Sequence, residues 1–210
     1  MATITISREF GAGGQTLGRH IADELGYTLV DEDLIERLAQ EANVSPNWVR
    51  SIENEAGGRL LRYISGLGPF RKSYVERVTE QRKGYIDGHI YVELLQKIIT
   101  SIAEEGNSVI VGRGGQYILW NHPDVIHLQM VADLEDRIRF MEKNYNLSRK
   151  QAALVVDKQS KRRKNLYRYF GREDYDSPKL YHLVLNMSKL SMEDATRAVA
   201  GLVAAPPPSD

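Results

Sequence analysis

The chain has 210 residues, of which 42% are hydrophobic and 27% charged, the size and balance of one folded soluble domain. The 28 Lys and Arg residues balance the 28 Asp and Glu residues, so a polyanion can be held only by a local cluster of cations. The absence of cysteine excludes disulfides, thiolate metal sites and cysteine nucleophiles. The sequence contains neither an apolar run of membrane length nor a secretory signal pattern, which predicts a cytoplasmic protein.

Strands and helices are predicted to alternate along the chain. Isoleucine alternates with threonine or serine over residues 3–7, which predicts a strand. Apolar residues with helical spacing follow over residues 16–25, and Gly26 ends this predicted helix. Further short strands are predicted at residues 27–30, 108–111, 125–131 and 182–187. Five short strands separated by helices, without hairpin signals, indicate an α/β sandwich around a parallel sheet.

The middle of the chain interrupts this alternation. Residues 43–90 form a predicted insertion rich in glycine and basic residues, and the helix predicted at 89–105 has an apolar face suited either to the core or to a homodimer interface. Ser148 and Gln151 form a capping box that begins a very basic helix. Asp133 is the predicted N-cap of the helix before it, and Ser191 with Asp194 begins the last helix in the same way. The sequence thus predicts one domain over residues 1–205 and a flexible, proline-rich tail over residues 206–210.

The most informative segment is a glycine-rich loop between the first strand and the first helix, within ITISREFGAGGQTLGRHIA at residues 4–22. Three glycines in four residues allow backbone N–H groups to turn toward a phosphate, and the helix N-terminus adds partial positive charge. One interpretation is a dinucleotide fingerprint beginning at Gly11 and ending at a ribose-binding Asp31, but Thr16 stands where its third glycine belongs. The alternatives are a P-loop and an ordinary strand-to-helix turn.

The P-loop interpretation fits the spacing better. Against the pattern G-x-x-x-x-G-K-[ST], Arg8 replaces the first glycine, Gly14 the lysine and Gln15 the hydroxyl residue. Because the lysine is missing, another cation must neutralise the phosphates, and Arg8, Arg19 or the basic helix could do so. The predicted phosphate-binding residues are Gly11, Ala12, Gly13, Gly14, Gln15 and Thr16, and the Thr16 hydroxyl is also the predicted magnesium ligand.

Three segments, in their order along the chain, carry a resemblance to a known family. They are ITISREFGAGGQTLGRHIADELGY at residues 4–27, VIVGRGGQYIL at 109–119 and RRKNLYRYFGREDYDSPKLYHLVLN at 162–186. With them the chain resembles the cytidylate kinase-like branch of the P-loop nucleoside monophosphate kinases. The resemblance implies a three-layer sandwich with a five-stranded parallel sheet, an acceptor-binding insertion at 43–90 and a helical lid at 148–175. It also implies ATP, Mg²⁺ and a nucleoside monophosphate acceptor such as CMP or dCMP.

The resemblance also implies roles for individual residues. Arg113, in the VGRGG segment after the third strand, matches the arginine that contacts the acceptor nucleotide. Gly114 stands where the typical enzymes have an aspartate. Arg162, Lys164 and Arg168 match the lid positions whose cations close over the reacting phosphates, although a charge run alone is usually a solvated helix face. Together with Arg8, these three cations are the predicted catalytic residues.

Some positions leave alternatives open. Asp31 and Asp33, after the second strand, could orient magnesium or the acceptor oxygen, or could simply cap a helix. Their D-x-D step is similar to that of shikimate-type kinases, so the acceptor could be a small molecule other than a nucleotide. Gly14 and Gly114 also leave open a nucleotide-binding regulatory module without transfer activity. In each case we expect a small-molecule partner, and neither nucleic acid nor a membrane.

Overall fold

The computed structural model of the protein describes residues 2–30 and 86–205. The strands are β1 Thr3–Arg8, β2 Thr28–Val30, β3 Ser108–Val111, β4 Val125–Val131 and β5 Leu183–Asn186. The helices are α1 Gly14–Leu25, α2 Ile86–Glu105, α3 Gly115–Ile118, α4 Leu134–Tyr145, α5 Arg149–Tyr169 and α6 Met192–Ala204, with a 3-10 turn at Pro178–Leu180. Most of the predicted insertion and the predicted tail lie outside the described residues.

These five strands form one parallel sheet in the order β2-β3-β1-β4-β5. The predicted α/β class is therefore confirmed. Each strand matches its predicted position to within one residue. Two short elements were not predicted, namely α3 and the 3-10 turn, because four and three residues are too few to show a hydrophobic period.

Apolar side chains cover both faces of the sheet, because successive side chains of a strand point to opposite faces. Ile4 and Ile6 of β1 are fully buried in a cluster that also contains residues of α1 and α6. On the other face, Leu95 and Ile99 of α2 are fully buried against Ile110 of β3. The apolar face of α2 is therefore part of the core of this chain.

The opposite side of β1 is a row of buried hydroxyl groups. Thr3 Oγ1 lies 3.1 Å from the Ser108 hydroxyl, and Thr5 Oγ1 lies 2.6 Å from His127 Nδ1. Ser7 Oγ, at the end of the row, lies 3.2 Å from the Tyr167 hydroxyl. Because buried polar groups require partners, these bonds fix the end of β1 relative to its neighbouring strands and to α5.

The predicted capping residues begin the helices in two cases out of three. Ser191 Oγ accepts a hydrogen bond from the Asp194 N–H at 3.1 Å at the start of α6. At the start of α5, the Ser148 N–H donates to Gln151 Oε1 at 2.9 Å. Asp133 occupies the predicted cap position of α4, but its side chain makes no capping bond. None of the helices in the described part of the chain is both long and apolar enough to cross a membrane.

Candidate active site

The glycine loop joins β1, the central strand, to α1. Gly11 and Gly13 have φ angles of 89° and 84°, in the left-handed region that glycine adopts without strain. A Cβ on Gly13 would lie 2.2 Å from Cε of Met192, and a Cβ on Gly11 would lie 2.9 Å from the carbonyl oxygen of Arg137. The turn therefore requires glycine at both positions, and at Gly11 the close backbone of Arg137 requires it as well.

The start of α1 is suited to an anion. Gly13 is the N-cap and has no side chain to accept the first N–H groups of the helix. Gly14 and Thr16 lie in the first turn, where backbone N–H groups have no carbonyl partner within the helix. These N–H groups and the positive end of the helix dipole fit the phosphate chain expected for this loop.

The loop is held in place by its first two residues. The Glu9 N–H donates to the Met130 carbonyl at 3.0 Å, and Glu9 Oε2 accepts from the Ala132 N–H at 2.9 Å. Nε of Arg137 lies 3.9 Å from the same carboxylate oxygen. Phe10 packs against the apolar cluster between α4 and α5. The loop is thus anchored to the end of β4 and to the helices that follow it.

The side chain of Arg8 extends from the end of β1 across the start of α1. A Cβ built on Gly14 would lie 2.7 Å from Cγ of Arg8. A Cβ on Gly112, the residue after β3, would lie 1.9 Å from Arg8 Nη1. The absence of side chains at Gly14 and Gly112 therefore gives Arg8 the space it occupies.

The turn after β3 has an unusual backbone. Gly112, Arg113 and Gly114 have consecutive φ angles of 84°, 58° and 75°. For Arg113 this left-handed conformation costs on the order of 1 kcal/mol, a strain often found at functional sites. Because β3 lies beside β1, this turn places the half-buried Arg113 at the same edge of the sheet as the glycine loop.

Gly114 lies against an aromatic ring. A Cβ on Gly114 would lie 2.5 Å from Cζ of Phe170, the residue that follows α5. The ring of Phe170 also lies 5.8 Å from that of Tyr117 on α3, measured between centroids. The space next to Gly114 is therefore filled by Phe170, and no larger residue fits there without displacing the ring.

The predicted lid residues lie on α5. Nη1 of Arg162 donates to Oε1 of Gln159 on the same helix at 3.4 Å, and Lys164 is exposed. The side chain of Arg168 lies outside the described part of the protein. The predicted role of these three residues, as cations over the reacting phosphates, is part of the function proposed below.

Sequence reasoning missed Arg163, whose side chain is only 14% exposed. Its Nη2 donates to Ser7 Oγ at 3.2 Å and to Asp176 Oδ1 at 2.7 Å. The guanidinium also lies 5.3 Å and 5.0 Å from the ring centroids of Tyr167 and Tyr175. Arg163 thus ties α5 to the end of β1, next to Arg8.

The spacing of the buried residues on α5 could have identified Arg163 as a buried arginine. Ala152, Val156 and Tyr167 are all buried on α5, and their spacing of four and then eleven residues marks one face of the helix. Arg163 lies seven residues after Val156 and four before Tyr167, on this face. A basic residue at that position predicts a buried, paired cation rather than a solvated one.

A second polar contact joins α3 to the segment after α5. The Tyr117 hydroxyl donates to Asp174 Oδ1 at 2.9 Å, and the Arg172 guanidinium lies 5.0 Å from the Tyr117 ring centroid. Burial, together with the hydrogen bond to Asp174, raises the pKa of Tyr117 well above its usual range. The hydroxyl therefore stays protonated and acts as a donor.

The described residues offer few ligands for the magnesium ion expected from the sequence. Asp31 and Asp33 lie outside them, and residues 2–30 and 86–205 contain no cluster of three or more carboxylate or histidine side chains that could hold a metal. Thr16, half-buried in the first turn of α1, offers one hydroxyl. This donor set fits a magnesium ion held mainly by phosphate oxygens and water.

A family model described as the cytidylate kinase-like family matches residues 3–189. An uncharacterized protein from Eubacterium ventriosum has a similar structure, with a TM-score of 0.68 and 17% sequence identity over 98% of this chain and 100% of that chain. A shikimate kinase from Bacteroides thetaiotaomicron is also similar, with a TM-score of 0.54 and 13% identity over 97% of this chain and 99% of that chain. These two similarities show a shared fold. No curated protein matches the chain.

Proposed function

Since the chain belongs to the cytidylate kinase-like family and has the fold of a P-loop kinase, we propose that it transfers a phosphoryl group from ATP to a nucleoside monophosphate, namely CMP or dCMP. Family and fold support a phosphotransferase of some kind, and the acceptor is the proposed part. The observation that carries the proposal is the shared position of the glycine loop and the Arg113 turn. They follow neighbouring parallel strands, so donor and acceptor sites adjoin at one edge of the sheet.

The donor side of the site is the glycine loop. Mg–ATP supplies the γ-phosphoryl group, whose phosphorus bonds to an acceptor oxygen as its bond to the β–γ bridging oxygen breaks and the electron pair leaves with ADP. Residues 11–16 hold the phosphate chain through backbone N–H groups, and the Thr16 hydroxyl is a ligand for magnesium. The cytoplasmic location expected from the sequence is part of this proposal.

The acceptor side is the turn at Arg113. A guanidinium binds a phosphate through two parallel N–H groups, which fixes the orientation of the phosphate as well as its position. Holding the acceptor phosphate next to the loop makes the transfer effectively intramolecular. Asp31 and Asp33 are proposed to orient the acceptor or the magnesium ion.

The lid cations complete the site. Arg162, Lys164 and Arg168 on α5 are proposed to cover the reacting phosphates and to neutralise the charge that spreads over the oxygens during transfer. The basic end of α5 supports this role because Arg163 fastens it to the end of β1, close to the loop.

The environment of Gly114 favours a second candidate, an acceptor that lacks a cytosine base. The aspartate of typical cytidylate kinases would have to adopt a φ of 75° here and to displace the Phe170 ring. Where those enzymes have a carboxylate that recognises the base, this protein has the apolar ring of Phe170. Such a surface suits a small acceptor that has no base to recognise.

The test is ADP release from Mg–ATP with a panel of ribo- and deoxynucleoside monophosphates, shikimate and other small alcohols, against a control without acceptor. Turnover with CMP or dCMP is the expected result. Turnover with a non-nucleotide alone establishes the second candidate. If the protein binds ATP but turns over none of these acceptors, the proposal is wrong and the protein is better described as a nucleotide-binding regulatory module.

The variant Arg113→Gly tests the acceptor site without loss of the turn. Glycine adopts the φ of 58° at this position without strain, so the side chain is removed without distorting the turn. We expect the KM for the acceptor to rise by about tenfold or more, as for the loss of a charged hydrogen bond, and the KM for ATP to stay within about twofold. Equal changes in both constants would show that Arg113 does not select the acceptor.

A further inference from the structure

We propose that Arg8 replaces the missing lysine of the glycine loop and contacts the β- and γ-phosphates of the nucleotide. This inference rests on the proposed function, because it names a residue that holds the phosphate donor. The pattern of a P-loop places a lysine at position 14, where this chain has glycine. The positive charge that the phosphates require is supplied instead from the end of the strand.

The direction of the Arg8 side chain follows from the period of the strand. Ile4, Ile6 and Arg8 lie on the same face of β1, and the two isoleucines are buried in the cluster that contains α1. Arg8 is the last residue of β1, so its side chain lies at the carboxyl end of the parallel strands. There its stem passes over Gly14 at the start of α1.

The far end of the side chain is placed by β3. Nη1 of Arg8 occupies the space into which a side chain on Gly112 would extend, since a Cβ there would lie 1.9 Å away. The guanidinium thus lies between the first turn of α1 and the turn that carries Arg113. This is the boundary between the proposed donor and acceptor sites, where the transferred phosphoryl group must pass.

Arginine at position 8 and lysine at position 14 exclude each other in this structure. A Cβ on Gly14 would lie 2.7 Å from Cγ of Arg8, so the stem of a lysine would collide with the stem of the arginine. The two departures from the P-loop pattern, at its first glycine and at its lysine, are therefore one coupled change. The cation stands on the strand instead of on the helix, and glycine at 14 and at 112 leaves room for it.

Two further arginines near the loop have largely buried side chains. Arg163 donates to Ser7 and Asp176, and Nε of Arg137 faces the Glu9 carboxylate at 3.9 Å. The Arg8 side chain passes Gly14 at the start of α1 and reaches Gly112 after β3. Its guanidinium stays charged at any working pH and presents several N–H donors, which suits two phosphates at once.

The experiment measures nucleotide affinity by calorimetry for the wild type, Arg8→Ala, Arg8→Lys, Gly14→Lys and the double variant R8G/G14K, which restores both pattern positions. Mg–ATP, Mg–ADP and AMP are titrated separately, and the thermal stability of each apo-protein is recorded. Arg197→Ala, on the exposed surface of α6, is the control for the loss of one positive charge. Turnover with the acceptor panel is measured in parallel.

We expect Arg8→Ala to weaken Mg–ATP binding by about tenfold or more and AMP binding by less than about twofold, because AMP has no β- or γ-phosphate. Arg8→Lys should lose less than Arg8→Ala. Gly14→Lys alone should weaken ATP binding, since the two stems collide, whereas R8G/G14K should recover an affinity within about threefold of the wild type. Arg197→Ala should bind as the wild type does.

The outcomes separate this inference from the proposed function. Unchanged ATP affinity in Arg8→Ala overturns the role of Arg8, whether or not the wild type turns over an acceptor. Equal loss of ATP and AMP binding with a lower melting temperature also overturns it, because a purely structural residue would have that effect. A wild type that binds ATP through Arg8 but transfers to no acceptor overturns the transfer alone, and one that binds no ATP overturns both.

Discussion

His127 lies on β4 and has a buried ring that bonds to a neighbouring strand. The residue is 2% exposed, its Nδ1 lies 2.6 Å from the Thr5 hydroxyl, and its backbone N–H donates to Nδ1 of His182 at 2.9 Å. Burial disfavours the charged ring, and the nearby His182 adds to this, so the pKa of His127 is lowered to about 4. The folded protein therefore holds this ring neutral.

The lowered pKa makes stability depend on pH. An unfolded histidine takes up a proton near pH 6.5, so unfolding is accompanied by proton uptake below that pH. We expect the free energy of unfolding to fall by about 3 kcal/mol between pH 6.5 and pH 4 from this residue alone, with the contribution fully present above pH 6.5. Urea denaturation at a series of pH values measures this slope.

The control for this prediction is a pair of histidine variants. His127→Gln removes the titrating group and should flatten the slope between pH 6.5 and pH 4, even if it lowers stability at neutral pH. His20→Gln, on the exposed side of α1, should keep the wild-type slope. A slope that survives in His127→Gln would assign the pH dependence to another group.

At the scale of the element, α5 is fixed to the protein at both ends. Its first half packs on α4, where Ala152 and Val156 join a buried cluster with Ile138 and Met141. Its second half is tied to the sheet by Arg163 and by the buried Tyr167, which stacks on Tyr175 at 4.6 Å between centroids. A lid movement of this helix would therefore have to break the contacts of Arg163.

Replacing Arg163 should loosen the second half of α5. Arg163→Ala loses two hydrogen bonds from a charged donor and two ring contacts, and we expect the free energy of unfolding to fall by about 1–3 kcal/mol. Arg163→Lys should lose nearly as much, because lysine lacks the flat guanidinium that lies over the rings of Tyr167 and Tyr175. Chemical denaturation measures both variants.

Lys161→Ala is the matched control for the Arg163 variants, since it removes a positive charge from the exposed side of the same helix. It should leave stability unchanged. Hydrogen exchange shows where the effect lies, and faster exchange confined to the second half of α5 in Arg163→Ala is the expected pattern. If Arg163→Lys were as stable as the wild type, the contact of the flat guanidinium with the two tyrosine rings would not matter.

The elements were largely predictable from the sequence because their signals are local. Strand β4 and the start of α6 follow from alternation of apolar residues and from the Ser191 cap, which depend on neighbours within a few residues. The glycine loop was predictable for the same reason. Asp133 shows the limit, because it occupies the cap position without making the bond.

The candidate site was less predictable because its contacts join distant parts of the chain. Sequence alone shows that the loop lacks a lysine, but the fit of Arg8 against both Gly14 and Gly112 depends on β3 lying beside β1. The contact of Arg163 with Ser7 spans 156 positions in the sequence. Such contacts follow from the order of the strands, which local patterns leave open.

At the scale of the whole molecule, the sheet order decides between the two phosphate-binding interpretations of the loop. A dinucleotide-binding sheet has its first strand beside its second, so that an acidic residue after the second strand can reach the ribose. In this protein β3 lies between β1 and β2. The end of β2 is therefore one strand too far from the loop, and the dinucleotide interpretation is wrong for this sheet.

The same order predicts which ligand stabilises the folded protein. A ligand that binds only the folded state at 100 times its dissociation constant adds about 2.7 kcal/mol, which for a domain of this size raises the melting temperature by about 5–10 °C. We expect such a shift with Mg–ATP, and less than about 1 °C with NAD at the same concentration. NAD would stabilise the protein more than Mg–ATP only if β2, despite its position, contributed to the nucleotide site, so a larger NAD shift in differential scanning fluorimetry would contradict the P-loop assignment.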